Sequence, residues 1–149
     1  MAGVIVLDAS VIIAFLNTSD VSHGASAVLL SQNLDRGFAV HPLTLAEVLV
    51  GGVRLGRASQ LLADLTEMGI GALTPARDEP MLLAELRVTT GLTMPDCCVL
   101  VAALQESAPL ATFDAALARA AVALGLRVVP PRAGPGDGDG CASGPARAR

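Results

Sequence analysis

The chain has 149 residues, is 52% hydrophobic but only 2% aromatic, and carries a formal net charge of −4, which fits one domain packed mainly by Ala, Val and Leu. All ten basic residues are Arg; without Lys, a Walker phosphate loop and Schiff-base chemistry are excluded, and the acidic balance disfavours a general nucleic-acid binder that relies on its own positive charge. Cys97, Cys98 and Cys141 form no disulfide framework, the N-terminus lacks the basic region of a signal peptide, and no apolar run reaches the ~18 residues of a membrane span, so a cytoplasmic location away from membranes is expected.

In chain order, Val4 to Leu7 is an apolar run of the kind buried on both faces of a parallel sheet, and it ends abruptly on Asp8 and Ser10. Ser10 to Asn17 continues as a short apolar helix. A second helix, capped by Ser19 or Asp20, is predicted to run to about Arg36, where Gly37 stops it. Phe38 to His41 reads as a strand ended by Pro42, and Thr44 to Glu47 opens a helix through about Leu55. Leu61, Leu62, Leu65 and Met68 have helical spacing within 59–68, followed by Gly69 and a brief strand, Ile70 to Leu73. Asp78 and Glu79 place acids in the first turn of a helix that Gly91 ends. Pro95 fits the first turn of the next helix, Asp96 to Glu106, which is apolar nearly all round and so central to its domain. Leu110 to Thr112 is a strand, Asp114 caps a helix to Leu124, and Arg127 to Val129 is the last strand. Alternating strands and helices predict a three-layer α/β/α sandwich with a central, mainly parallel sheet. A folded domain over 1–132 and a disordered Gly, Pro and Ala-rich tail over 133–149 are expected.

Four acids stand against apolar elements: Asp8, Glu47, Asp96 and Asp114. Three have local structural readings. Glu47 closes a T-x-x-E capping box, Asp96 is an acid in a helix first turn, and Asp114 is an N-cap. Asp8 has none, because a charge closing a buried strand costs several kcal/mol, on the order of the penalties for desolvated ions, unless it is paired. Asp8 and Asp114 both follow strands and share a sheet edge, and no Lys exists to pair with them. Clustered carboxylates without cations raise each other's pKa or recruit a cation. Oxygen ligands without interleaved Cys or His select Mg²⁺ or Mn²⁺ over zinc.

The ordered set LDAS, AEVL, MPDCCVLVAAL and ATFDAAL, spanning about Val4 to Val129, resembles a PIN domain, and within it the VapC-type ribonuclease toxins of toxin–antitoxin pairs. The resemblance implies that Asp8, Glu47, Asp96 and Asp114 are the metal-binding, catalytic acids, with the hydroxyls of Ser10 and Thr112 in support. It further implies an Mg²⁺-dependent endoribonuclease acting on an RNA substrate, held inactive by a cognate antitoxin, and a homodimer. The chain departs from relatives at Ala115 and Ala116, where another acid often stands, and at Cys97 and Cys98, where small residues are usual.

Two other functions compete. One is a PIN-like module that only binds RNA or a partner; the other is a phosphatase of the haloacid dehalogenase kind with Asp8 as nucleophile, which wants a second Asp where Ser10 stands and a Lys. His23 and His41 are isolated in sequence, Cys97 and Cys98 read as small buried residues, and Asp137 and Asp139 lack the other ligands of a calcium loop. Arg54, Arg57, Arg87 and Arg119 are candidates for phosphate contact.

Overall fold

The structure, a computed structural model, describes residues 3–129. The expected tail at 133–149, with Asp137, Asp139 and Cys141, lies outside the described residues, as does the end of the expected domain at 130–132.

Five short strands, β1 (Ile5–Leu7), β2 (Phe38–Val40), β3 (Ile70–Ala72), β4 (Leu110–Ala111) and β5 (Val128–Val129), form one sheet in the order β3-β2-β1-β4-β5. Every pairing is parallel. Seven helices connect and cover them: α1 (Ala9–Leu16), α2 (His23–Gln32), α3 (Pro42–Arg54), α4 (Ala58–Glu67), α5 (Glu79–Thr90), α6 (Met94–Glu106) and α7 (Ala115–Ala123). The expected parallel α/β/α sandwich is the observed fold.

The pleat of β1 divides the core. Successive side chains on a strand point to opposite faces, so Ile5 and Leu7 join Phe38, Val40 and Ile70 under α1 to α4, whereas Val6 joins Ala39 and Leu110 under α5 to α7. All three residues of β1 have no exposed surface, which is why the sequence shows an unbroken apolar run instead of alternation. The apolar α6 buries Cys97 to Ala103 without interruption. Gly52 allows a close approach where α3 meets α4, since a Cβ there would stand 3.1 Å from the Ala58 backbone and from Leu61, and a neighbour would have to give. Gly91 ends α5 in the left-handed region at φ 69°, the usual helix stop that other residues resist.

The helix expected from Ser19 to Arg36 is shorter at both ends. The Asp20 carboxylate accepts the Ser22 N–H at 2.8 Å, making a turn instead of a helix cap, so α2 begins at His23. Arg36 leaves the helix to donate to the Gly3 carbonyl at 2.9 Å. The capping box expected at Thr44 to Glu47 is also absent. Pro42 fixes the first turn of α3, and the His41 ring accepts the Leu43 N–H at 3.0 Å as the N-cap, which places Thr44 inside the helix and leaves the Glu47 carboxylate out of any cap.

Candidate metal centre at the sheet edge

The strand order reverses between β1 and β4, since the chain adds β2 and β3 on one side of β1 and then crosses to the other. Such a switch point leaves a crevice outside the C-terminal strand ends, where ligands bind in open α/β sheets. Asp8 stands there directly after β1, and Thr112 directly after β4.

Asp8 is only 8% exposed. Its Oδ2 accepts the Ser10 hydroxyl at 2.8 Å and the Thr112 hydroxyl at 2.7 Å. Each hydroxyl is itself oriented by a backbone amide: Phe113 N–H donates to Ser10 Oγ at 3.2 Å and Asp114 N–H to Thr112 Oγ1 at 3.0 Å. A hydroxyl has a single proton, so both are committed to Asp8. The other carboxylate oxygen, Oδ1, receives no donor among the described residues.

The other acids arrive from three elements. Glu47 sits on the exposed face of α3, and its carboxyl is raised above the usual value of 4.5 by partial desolvation first, then by the negative charges of Asp8 and Asp96. The structure therefore brings Asp8, Glu47 and Asp96 within electrostatic reach of one another. Asp96 lies in the first turn of α6, where the Thr93 hydroxyl donates to its Oδ2 at 2.8 Å. Asp114 is the N-cap of α7 and accepts the Leu117 N–H at 3.0 Å through Oδ1; it joins the centre through its amide on Thr112. No three of these carboxylates bring oxygens within 4.8 Å of one another among the described residues. The acids thus ring the crevice without forming a tight ligand cluster.

Among the described residues no Arg pairs with a carboxylate, so no side-chain cation neutralises the crevice. Arg54, Arg57, Arg87 and Arg119 are all exposed. Beside the crevice runs a groove of about 470 Å³ between α1, α3 and α4, lined by Ile13, Leu16, Val48 and Leu61 and by Glu47 itself.

Sequence reasoning missed two things. Thr93, three residues before Asp96, is a T-x-x-D signal that was available to find it. His41 is not isolated: its ring Nε2 meets the Glu79 carboxylate in a close, buried hydrogen bond, and Cys98 adjoins both. Nothing in the local spacing announces partners this far apart. The Cys98 thiol is pushed up to about 11 by burial first, then by Glu79, Cys97 and Glu47. His23 keeps its structural reading, with Nδ1 3.1 Å from the Ala14 carbonyl and the ring stacked on Phe15.

The PIN domain family model matches residues 5–123. Among solved structures, the chain is similar to a Mycobacterium tuberculosis VapC toxin described as cleaving the sarcin-ricin loop, at 18% identity and TM-score 0.67 over 85% of this chain and 99% of that one. It is similar to VapBC from nontypeable Haemophilus influenzae at 16% identity and TM-score 0.66, covering 85% and 97%. It is similar also to a toxin–antitoxin complex from Klebsiella pneumoniae at 18% identity and TM-score 0.61, covering 73% and 85%. At these identities the likeness is one of fold. No curated protein sequence matches the chain.

Proposed function

This chain belongs to the PIN domain family, and from that premise we propose that it is a metal-dependent endoribonuclease, the toxin of a type II toxin–antitoxin pair. The observation that carries the reading is the Asp8 carboxylate, fixed through Oδ2 by two hydroxyls at the switch point, with Glu47 and Asp96 in range and no described Arg to offset them.

The residues present fit a hard divalent cation, Mg²⁺ or Mn²⁺. Asp8, Asp96 and Asp114 would hold it directly or through water, with Glu47 as a further ligand or as the group that orients the attacking water. When bound, the cation supplies polarisation of the phosphoryl oxygen and a water acidic enough to act as nucleophile. Ser10 and Thr112 keep Asp8 aimed, because both give their only proton to its Oδ2. Thr93 does the same for Asp96. The raised Glu47 carboxyl is a stronger proton acceptor toward water than an ordinary carboxylate, and a bound cation would meet the nonbridging charge of the phosphodiester in a chain this short of basic residues.

A cognate antitoxin fits the groove beside Glu47. Ile13 and Leu16 are exposed at 46% and 42% on its α1 wall, and an amphipathic segment laid there would cover both apolar residues and the crevice. The M. tuberculosis and K. pneumoniae relatives support an RNA target and a protein partner. A homodimer is part of the same reading.

Cleavage of RNA with Mg²⁺ or Mn²⁺, with and without EDTA, in the wild type, Asp8→Asn and Asp96→Asn tests it. Metal-dependent cleavage lost in both variants is expected. Cleavage that survives EDTA and both substitutions sinks the mechanism.

A further inference from the structure

A cavity of about 290 Å³ lies between the first turn of α5 and the last turns of α6. Leu82, Val101 and Leu104 make its apolar walls, and its charged residues, Asp78 and Glu79, are both acids. Val101 is 3% exposed and forms the floor, whereas Leu82 and Leu104, each 39% exposed, stand at the rim. Gln105 braces the opening by tying the end of α6 to the segment before α5. Its Nε2 donates to the Thr74 carbonyl at 3.0 Å and its Oε1 accepts the Ala76 N–H at 3.3 Å.

Glu79 is only 5% exposed, and its hydrogen bonds leave its charge unanswered. His41 Nδ1 accepts the Leu43 N–H, so the ring is neutral and Nε2 carries its one N–H. That N–H donates to Glu79 Oε1 and brings no positive charge. Glu79 Oε2 is buried with no partner at all, the nearby Cys98 thiol included. Among the described residues no Arg pairs with this carboxylate, Arg77 two residues before it is exposed, and the chain has no Lys. A buried carboxylate with a neutral donor on one oxygen and nothing on the other lacks a cation.

We propose that this cavity binds a primary alkylammonium group, with the nitrogen on Glu79 Oε2 and the stem along Leu82, Val101 and Leu104. One open carboxylate oxygen suits a compact ammonium; the planar fork of a guanidinium wants both, and His41 already holds Oε1. A metal ion wants several oxygen, nitrogen or sulfur ligands, and the apolar walls offer none. Folding has already taken the carboxylate out of water. Only the incoming ammonium must shed its own, and the charge-assisted hydrogen bond then forms where water competes little. Asp78 adds negative charge at the mouth, which favours a cation on approach. No proton moves, so His41 keeps its tautomer and its cap on α3. The site stands apart from the nuclease reading and does not depend on it. Its ligand is a small free amine or a lysine side chain presented by another molecule.

Titration of the full-length protein with n-butylammonium chloride, followed by the amide NMR shifts of Leu82, Val101 and Gln105, is the test. The wild type should show saturable shifts, and the uncharged butan-1-ol should bind at least about tenfold more weakly, the loss of one charge-assisted hydrogen bond. Glu79→Gln, which keeps an acceptor for His41, should weaken butylammonium binding by at least about the same factor. Asp8→Asn should bind as the wild type does, which separates this cavity from the acid crevice. Leu82→Trp, at a half-exposed rim position, should block entry, and it carries the test should Glu79→Gln fail to fold. A backbone-blocked lysine identifies the source: binding with the same Glu79 dependence means that a lysine side chain suffices, and binding of butylammonium alone restricts the site to free amines. No saturable shift in the wild type, undiminished binding in folded Glu79→Gln or in Leu82→Trp, or loss of binding in Asp8→Asn overturns the proposal.

Discussion

Two groups of titratable side chains stand near the same edge of one sheet and meet opposite fates. At the β1/β4 switch point the carboxylates of Asp8, Glu47 and Asp96 surround an open crevice, supported by hydroxyls and backbone amides. Under the start of α3, Glu79 is enclosed with His41 and Cys98 and keeps one oxygen unpartnered. Water can screen the first group but not the second. The difference teaches that the cost of a carboxylate is set by its surroundings: in the crevice, repulsion is tolerated and available for binding a cation, whereas in the interior a carboxylate depends on the few groups packed against it.

Breaking the interior match should have the largest effect. His41→Leu leaves the Glu79 carboxylate without its donor and should destabilise the protein by about 3–5 kcal/mol in urea unfolding, while the double variant His41→Leu/Glu79→Leu should recover most of that loss. A double variant no more stable than the single would remove the idea that buried Glu79 depends on His41. In the crevice the effect moves from stability to activity. Asp8→Asn keeps an oxygen for both hydroxyls, so its melting temperature should barely change while RNA cleavage falls at least about a hundredfold, more than typical losses from outer-shell groups. Thr112→Val, nearly the same shape, should lower cleavage about 10- to 100-fold by releasing Asp8, with about 1 kcal/mol lost from the hydrogen bond.

The smallest effect sharpens the contrast. Glu47 has a folded-state carboxyl raised above its ordinary 4.5, so between 4.5 and the raised value the folded state binds more protons than the unfolded one. Stability of the metal-free wild type relative to Glu47→Gln should therefore fall as pH rises through that window and level off above it. Chemical denaturation across the acid range measures this, and a relative stability that rises with pH would contradict the crowded-carboxylate picture. Saturating Mg²⁺ should flatten the slope.

The crevice was largely legible because its parts are local. A strand that stops on Asp8, a proline and acid opening α6, and an N-cap at Asp114 each leave a mark within a few residues, and the parallel topology brings those marks to one edge. For Glu47 it is the competing structural reading that does not hold, since the expected capping box gives way to His41 and Pro42. The enclosed group was not legible. His41 and Glu79 are 38 residues apart, and Glu79 looks like any acid in a helix first turn until α5 and α6 pack and bury it.

The hydroxyl bonds at Asp8 have a consequence for how the protein comes into being. Thr112 reaches Asp8 across 104 residues of chain, and Phe113 reaches Ser10 across 103. Contacts this distant in sequence close late in folding. On a ribosome, where domains emerge from the N-terminus, Asp8 leaves first and waits for its supports until β4 and the start of α7 have been made. A partial chain that already holds Asp8, Glu47 and Asp96 still lacks the struts that aim the first of them. The hydrogen-bonded setting of Asp8 is therefore complete only when nearly the whole domain exists.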